Sequence, residues 1–151
     1  KQGIKVLEYN MRFGDPETQP LMMNLKSDLL YLFDMTVKQQ LDKAKIEWKK
    51  EKSLCLVITS KGYPENPVKG SVIANIKEVA NKYNVNIFFA GVKLDNDKLV
   101  ANGGRVLSIC KTSDNNFSDI YKAAEELDFK DKYYRTDIGE VYERVGNNRR
   151  I

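Results

Sequence analysis

The chain has 151 residues, of which 42% are hydrophobic and 30% are charged, and its formal net charge is +4. This length suits one ordinary domain, or one small domain with part of another, and so small a charge excess says little about a nucleic-acid partner. The sequence contains no histidine, which excludes Ser-His and Cys-His nucleophile systems and most zinc sites.

The first half of the chain predicts one strand, two helices and a second strand, in that order. Alternating residues predict a strand from Ile4 to Phe13. The turn "GDPETQP" follows, and a helix is expected to begin at Pro20 with Thr18 as its cap. An apolar stripe predicts a longer helix over Asp28–Leu41. A short strand, a charged turn and a β-prone strand ending at Gly62 come next.

The second half predicts a hairpin between two helices. Two prolines and two glycines make 62–70 a loop, and a short helix is expected within 71–83. "VNIFFAGVKL" and "KLVANGGRVLSIC", joined through "DND", predict a hairpin with Phe88 and Phe89 in the core. "NFSDIYKAAEELDF" predicts an amphipathic helix capped by Asn116, and "KYYRTDIG" a short strand before a basic tail. The order indicates an α+β fold with a mainly antiparallel sheet.

The two cysteines and the hydropathy indicate an intracellular protein. Cys55 and Cys110 each lie in an apolar run, which favours buried, reduced thiols over a disulfide framework. No run is long and apolar enough to cross a membrane, and no signal peptide is visible. A cytoplasmic location is predicted.

The opening strand carries the chemistry. Glu8, Asn10 and Arg12 alternate along it, so they share one face at a spacing of roughly 6.5–7 Å. A carboxylate and an amide side by side offer the hard oxygen donors that Mg²⁺ prefers, and a guanidinium beside them can hold a phosphate. The alternative is an amphipathic strand with an ordinary polar outer face.

The string "LEYNMRFGDPETQ" resembles phosphoribosylamine–glycine ligases, which belong to the ATP-grasp superfamily. The resemblance continues in the family's order through "SDLL", "SKGYP", "AGVK", "NGGRVL" and "YRTDIG", so it covers almost the whole chain. It implies that residues 1–42 are the end of an ATP-grasp domain. Residues 43–151 would form a small C-terminal α+β domain.

The resemblance also implies a reaction. ATP phosphorylates the carboxylate of glycine, and the amine of phosphoribosylamine attacks the acyl phosphate to give glycinamide ribonucleotide, ADP and phosphate. By resemblance, Glu8 and Asn10 hold Mg²⁺ or Mn²⁺ against the nucleotide, and Arg12 contacts phosphate or the acyl phosphate. No catalytic base is assigned, since positioning and charge neutralisation supply the catalysis.

The turn after the strand is implied to lie beside the glycine and amine sites. Asp15 is the expected polar contact there, while Gly14, Pro16 and Glu17 shape the loop.

"NGGRVL" is the second candidate site. Gly103 and Gly104 allow a close backbone approach, so that Arg105 reaches a ribose phosphate. The alternative is a glycine bend with a surface arginine. The sequence departs from the family's pattern at Glu65, at "FAGV" and at Asn75, where glycine is common, and these departures put the local loop geometry in doubt.

The upstream glycine-rich loop and lysines of ATP-grasp enzymes are not in this sequence, and the chain starts with Lys1. We therefore expect a C-terminal fragment that needs the N-terminal remainder of its parent polypeptide and is inactive alone. Two alternatives remain: another ATP-grasp carboxylate–amine ligase, or a small basic RNA-binding module, suggested by a pI of about 8.9 and by aromatics on strands.

Overall fold

The computed structural model describes residues 5–114 and 116–139 of the chain. Within them the helices are α1 (Thr18–Asn24), α2 (Leu29–Val37), α3 (Ile76–Tyr83) and α4 (Ser118–Glu126), with a 3-10 turn at Leu41–Lys43. The strands are β1 (Lys52–Ser60), β2 (Ile73–Ala74), β3 (Asn86–Phe89), β4 (Val92–Asp95), β5 (Lys98–Ala101), β6 (Arg105–Ser113), β7 (Asp128–Phe129) and β8 (Lys132–Tyr133). The predicted strand start at Ile4 and the basic tail lie outside the described residues.

A four-stranded antiparallel sheet in the order β3-β6-β1-β8 organises the molecule. Two small antiparallel pairs, β2-β7 and β4-β5, accompany it. The fold is therefore α+β with antiparallel sheets, as the sequence predicts. No helix in the described ranges is both long and apolar enough to cross a membrane.

Burial alternates along β1 and gives the main sheet two different faces. Leu54, Leu56 and Ile58 are buried on one face, which we call the core face, whereas Cys55 and Val57 are half-buried on the other, the outer face. Alternation of this kind is what a strand with period two requires. α1 lies across β1 and β6, and its last residue accepts a hydrogen bond from outer-face Ser53 at 2.7 Å.

The core lies between the core face and two helices. α3 and α4 pack against each other, and α4 also packs on β6. Val79 of α3, Ile120 of α4 and Phe129 of β7 are almost completely buried in it. All the buried members of the main apolar cluster lie between Leu54 and Phe129, so this part of the chain provides most of the apolar burial.

Several local predictions are confirmed. A helix forms within 71–83, and α4 follows its predicted stripe. The N-cap of α4 is Phe117 and not the predicted Asn116, whose Oδ1 accepts a hydrogen bond from Ser118 N at 2.9 Å from one position further back. The β4-β5 turn places Asn96 and Asp97 at positive φ, where Asn and Asp are tolerated best among non-glycine residues.

The opening strand prediction is wrong for the described residues. Residues 5–13 form no strand and are exposed along their length. A strand needs a hydrogen-bonding neighbour, and here residues 5–13 have no partner strand in the described part of the chain.

Two helix boundaries also differ from the prediction. α1 begins at Thr18 and not at Pro20, and the Thr18 hydroxyl donates back to Gly14 O at 2.7 Å. α2 does begin after an Asp28 cap, which accepts from Tyr31 N at 2.8 Å. It ends at Val37, before the predicted Leu41, because Gln39 has a φ of 56° that an α-helix cannot continue through.

The predicted hairpin is interrupted, and its aromatics are not in the core. Its outer half is the β4-β5 pair, while β3 and β6 join the main sheet. Phe88 and Phe89 are 37% and 53% exposed, which corrects their assignment to the core. β3 is an edge strand of the sheet, so fewer neighbours cover it.

Asn75 explains one departure from the family's pattern. Its φ is 49°, in the left-handed region that favours glycine. Its side chain donates to Glu126 O at 3.0 Å and accepts from Asp128 N at 2.8 Å. Asparagine thus keeps the backbone conformation and adds one hydrogen bond to the last residue of α4 and one to the first residue of β7.

Candidate functional site

The acid, amide and guanidinium of the opening segment lie in exposed, irregular chain. Asn10 Nδ2 donates to Glu8 Oε1 at 3.0 Å, so the carboxylate and the amide are neighbours without a strand to align them. Arg12 Nη1 donates to the carbonyl of Phe13 at 2.8 Å. These three side chains can be reached from solvent and by a ligand.

The loop after this segment is tied to the start of α1. Gly14 N donates to Glu17 Oε1 at 2.7 Å, and Thr18 N donates to Gly14 O at 3.1 Å. Reciprocal bonds of this kind satisfy backbone groups that a helix start leaves open. The Asp15–Pro16 peptide bond within the loop is cis.

Arg105 joins this loop to the main sheet. Its Nη1 donates to the backbone carbonyl of Asp15 at 2.8 Å and lies 3.5 Å from Asp15 Oδ2. Arg105 begins β6, ninety residues further along the chain. The contact brings two separately predicted site residues together, and both side chains remain about half exposed, at 42% and 53%.

The glycines beside Arg105 lie in close contacts within the chain. A Cβ on Gly104 would overlap the ring of Tyr63. Gly103 lies against Gly91. A Cβ added to Gly91 would come within 2.8 Å of Gly103 Cα and 2.6 Å of Arg105 O. Gly91 N also donates to Arg105 O at 3.0 Å, so this backbone contact fixes where β6 starts.

A cavity of about 310 Å³ opens on the outer face of the sheet beside Arg105. Its size lies at the lower end of the range for small-molecule sites. Its lining combines tyrosines and aliphatic residues with two arginines: Pro16, Cys55, Leu56, Val57, Thr59, Tyr63, Arg105, Tyr133, Tyr134, Arg135 and Ile138. We call this cavity the outer-face pocket.

The two arginines of the outer-face pocket differ in their partners. Arg135 Nε donates to Asp137 Oδ1 at 2.8 Å, and this hydrogen bond raises the pKa of Arg135 and lowers that of Asp137. Arg105 makes its short bond to a neutral carbonyl, with the Asp15 carboxylate further away. The positive charge of Arg105 is therefore less compensated by a neighbouring carboxylate than that of Arg135, which leaves Arg105 better suited to bind an anion.

The structure unites part of the predicted site. Pro16 and Arg105 line the outer-face pocket, and Asp15 contacts Arg105, while Glu8, Asn10 and Arg12 are not among the lining residues. Sequence reasoning missed Tyr133 and Tyr134, although "KYYRTDIG" contains them. Their place depends on the pairing of Thr59 with Tyr133, which is not a local property of the sequence.

Comparison with known proteins identifies the family. The model of the phosphoribosylglycinamide synthetase C domain matches residues 53–141. The phosphoribosylamine–glycine ligase of Fusobacterium nucleatum is 42% identical over 92% of this chain and 34% of its own length, and that of Brucella melitensis is 43% identical over 97% and 35%.

A solved structure agrees with these relatives. The phosphoribosylamine–glycine ligase of Thermotoga maritima superposes with a TM-score of 0.67 at 34% identity, covering 89% of this chain and 33% of that one. The chain thus spans about a third of the length of the relatives it matches. The match covers more than half of its residues, and the chain belongs to the phosphoribosylglycinamide synthetase C-domain family.

Proposed function

We propose that this chain is the C-terminal part of an ATP-dependent ligase that joins glycine to phosphoribosylamine. ATP transfers its γ-phosphoryl group to the glycine carboxylate, the amine attacks the acyl carbon, and phosphate leaves as the amide of glycinamide ribonucleotide forms. Family membership and the names of the relatives support this proposal. On this proposal the protein works in the cytoplasm, where ATP and both substrates are available.

The contact between Arg105 and Asp15 is the observation that carries the proposal. It places a half-exposed guanidinium at the outer-face pocket, next to the loop that the family resemblance sets beside the acceptor. A planar guanidinium binds phosphate through two parallel hydrogen bonds. We assign Arg105 to the phosphate of phosphoribosylamine and Asp15 to a polar contact with the amine or with glycine.

The opening segment fits half of a metal site. Glu8 and Asn10 are adjacent and exposed, and they offer hard oxygen donors. The described residues contain no group of three or more His, Cys, Asp or Glu side chains that could hold a metal. Glu8 and Asn10 would therefore complete a Mg²⁺ or Mn²⁺ site together with nucleotide phosphates. The ion would neutralise phosphate charge, with Arg12 beside it.

The exposed apolar side chains of the first part of the chain support the proposed division at residue 42. Leu7 and Met11 are 98% and 96% exposed, although side chains of this size usually find cover. Leu32 is the single buried hydrophobic residue described before Leu54. We infer that residues 1–42 complete another domain, supplied by the N-terminal remainder of the parent polypeptide, while 43–151 fold around their own core.

The isolated chain is expected to show no turnover. It provides a half metal site and the outer-face pocket, but no phosphate-cradling glycine loop. The measurement is ADP formation that depends on both glycine and phosphoribosylamine, with the full-length protein assayed in parallel. Clear turnover by residues 1–151 alone would contradict the fragment proposal.

Replacing Arg105 by alanine in the full-length protein is expected to raise the KM for phosphoribosylamine about tenfold or more. The loss of a charge-assisted hydrogen bond to phosphate costs roughly 1.5–3 kcal/mol. The KM values for ATP and glycine should change less, and Arg105→Lys should restore part of the affinity. Steady-state kinetics with each substrate varied in turn measure this.

Lys77→Ala, at an exposed position of α3, is the matched control for loss of a surface cation. An equal rise in all three KM values would assign Arg105 a structural role. An unchanged KM for phosphoribosylamine would refute the phosphate assignment.

A further inference from the structure

The two cysteines of the chain are direct cross-strand neighbours. Cys55 of β1 and Cys110 of β6 are paired in the antiparallel register. Directly opposed residues in such a pair have Cα atoms about 4.5–5.5 Å apart, which lies within the range of about 4.4–6.8 Å found in disulfides. Because opposed residues share a face, both sulfur atoms lie on the same side of the sheet. Both cysteines are in the free thiol state.

Access to the two thiols is unequal. Cys55 is half-buried and lines the outer-face pocket, while Cys110 is completely buried. A small oxidant that enters the pocket therefore meets Cys55 first. Cys110 has no exposed surface and is not among the lining residues of the pocket.

The hydrogen bond between the thiols also distinguishes them. Donation from Cys110 lowers the pKa of Cys55, and the same contact together with burial raises the pKa of Cys110. The thiolate is the reactive form of cysteine. The accessible thiol is thus the one whose pKa is lowered, and the buried thiol lies directly opposite it across the two strands.

We propose that Cys55 and Cys110 form an oxidation site that closes to an intramolecular disulfide across β1 and β6. With a hydroperoxide as the oxidant, the Cys55 thiolate attacks the peroxide oxygen, the O–O bond breaks, and Cys55 becomes a sulfenic acid as water (or the alcohol) leaves. The Cys110 sulfur then attacks the Cys55 sulfur, the S–O bond breaks, and a second water leaves with the Cys110 proton. Two thiols lose two electrons, and the peroxide gains them.

This site does not depend on the ligase proposal, since its readout is thiol chemistry and not turnover. Purified protein is treated with increasing hydrogen peroxide, quenched and alkylated without reductant. Mass spectrometry of its digest then follows the peptides of Cys55 and Cys110. Both thiols should disappear together, with one linked Cys55–Cys110 peptide that reductant splits, in a chain that stays monomeric on a non-reducing gel.

Single-cysteine variants test the order of events. In Cys110→Ser, Cys55 should be trapped by dimedone as a sulfenic acid and should proceed to sulfinic acid. In Cys55→Ser, the rate at which Cys110 oxidises should be lower by a factor of about ten or more. Linkage between chains, overoxidation of wild-type Cys55 without the linked peptide, or equal oxidation rates in the two variants would overturn the proposal. So would two thiols that survive peroxide sufficient to oxidise an unstructured cysteine peptide.

Discussion

Replacing Glu8 by alanine in the full-length protein is expected to lower kcat about a hundredfold or more while the fold stays intact. A metal clamp on transferring phosphoryl groups is worth several kcal/mol of transition-state stabilisation. On the proposed function, Glu8 is one of the two metal ligands assigned to this chain, with Asn10 as the other. The side chain is exposed and accepts a hydrogen bond from Asn10, two residues away, so its removal should not disturb the core.

The assay measures turnover against Mg²⁺ concentration, with thermal unfolding measured on the same samples. Glu8→Gln keeps the size of the side chain but removes its charge, and its turnover should be nearly as low as that of Glu8→Ala. Glu78→Gln, which removes an exposed carboxylate from α3, should leave turnover unchanged. Near-normal turnover of Glu8→Ala at saturating Mg²⁺ would show that the metal assignment is wrong.

Elements that depend on near neighbours were predictable from the sequence. α4 follows from its stripe, and the β4-β5 turn follows from residues that tolerate positive φ. The lack of a strand in residues 5–13 was not predictable, because an alternating pattern indicates which side chains share a face and not whether a partner strand is present. Leu7 and Met11 belong to the apolar face of that pattern, and both side chains are exposed and lie against no core in the described residues.

The candidate site was predictable in its members and not in its assembly. The family resemblance identifies Asp15 and Arg105 separately, but their contact spans ninety residues and depends on where β6 begins. The cysteines illustrate the same limit. Each apolar run indicates a buried thiol, whereas their opposition is set by the β1-β6 register, which no short stretch of sequence encodes.

Gly91→Ala is expected to destabilise the protein by about 2–3 kcal/mol. The added Cβ would lie 2.6 Å from Arg105 O and 2.8 Å from Gly103 Cα, and both of these are backbone atoms. Relief therefore requires the chain before β6 to move, with a cost of the kind found for overpacked cores. The same movement would displace Arg105 from Asp15.

Two other glycines provide matched comparisons by urea denaturation. Gly104→Ala meets only the side chain of Tyr63, which is 42% exposed and can turn away, so a cost of about 1 kcal/mol is expected. Gly70→Ala meets nothing within 4 Å and incurs only the strain of its φ of +86°, about 1 kcal/mol. If Gly91→Ala proved no worse than Gly70→Ala, the close approach of residues 91 and 103 would not be what fixes the start of β6. The position of Arg105 would then have to depend on its hydrogen bond to Asp15 instead.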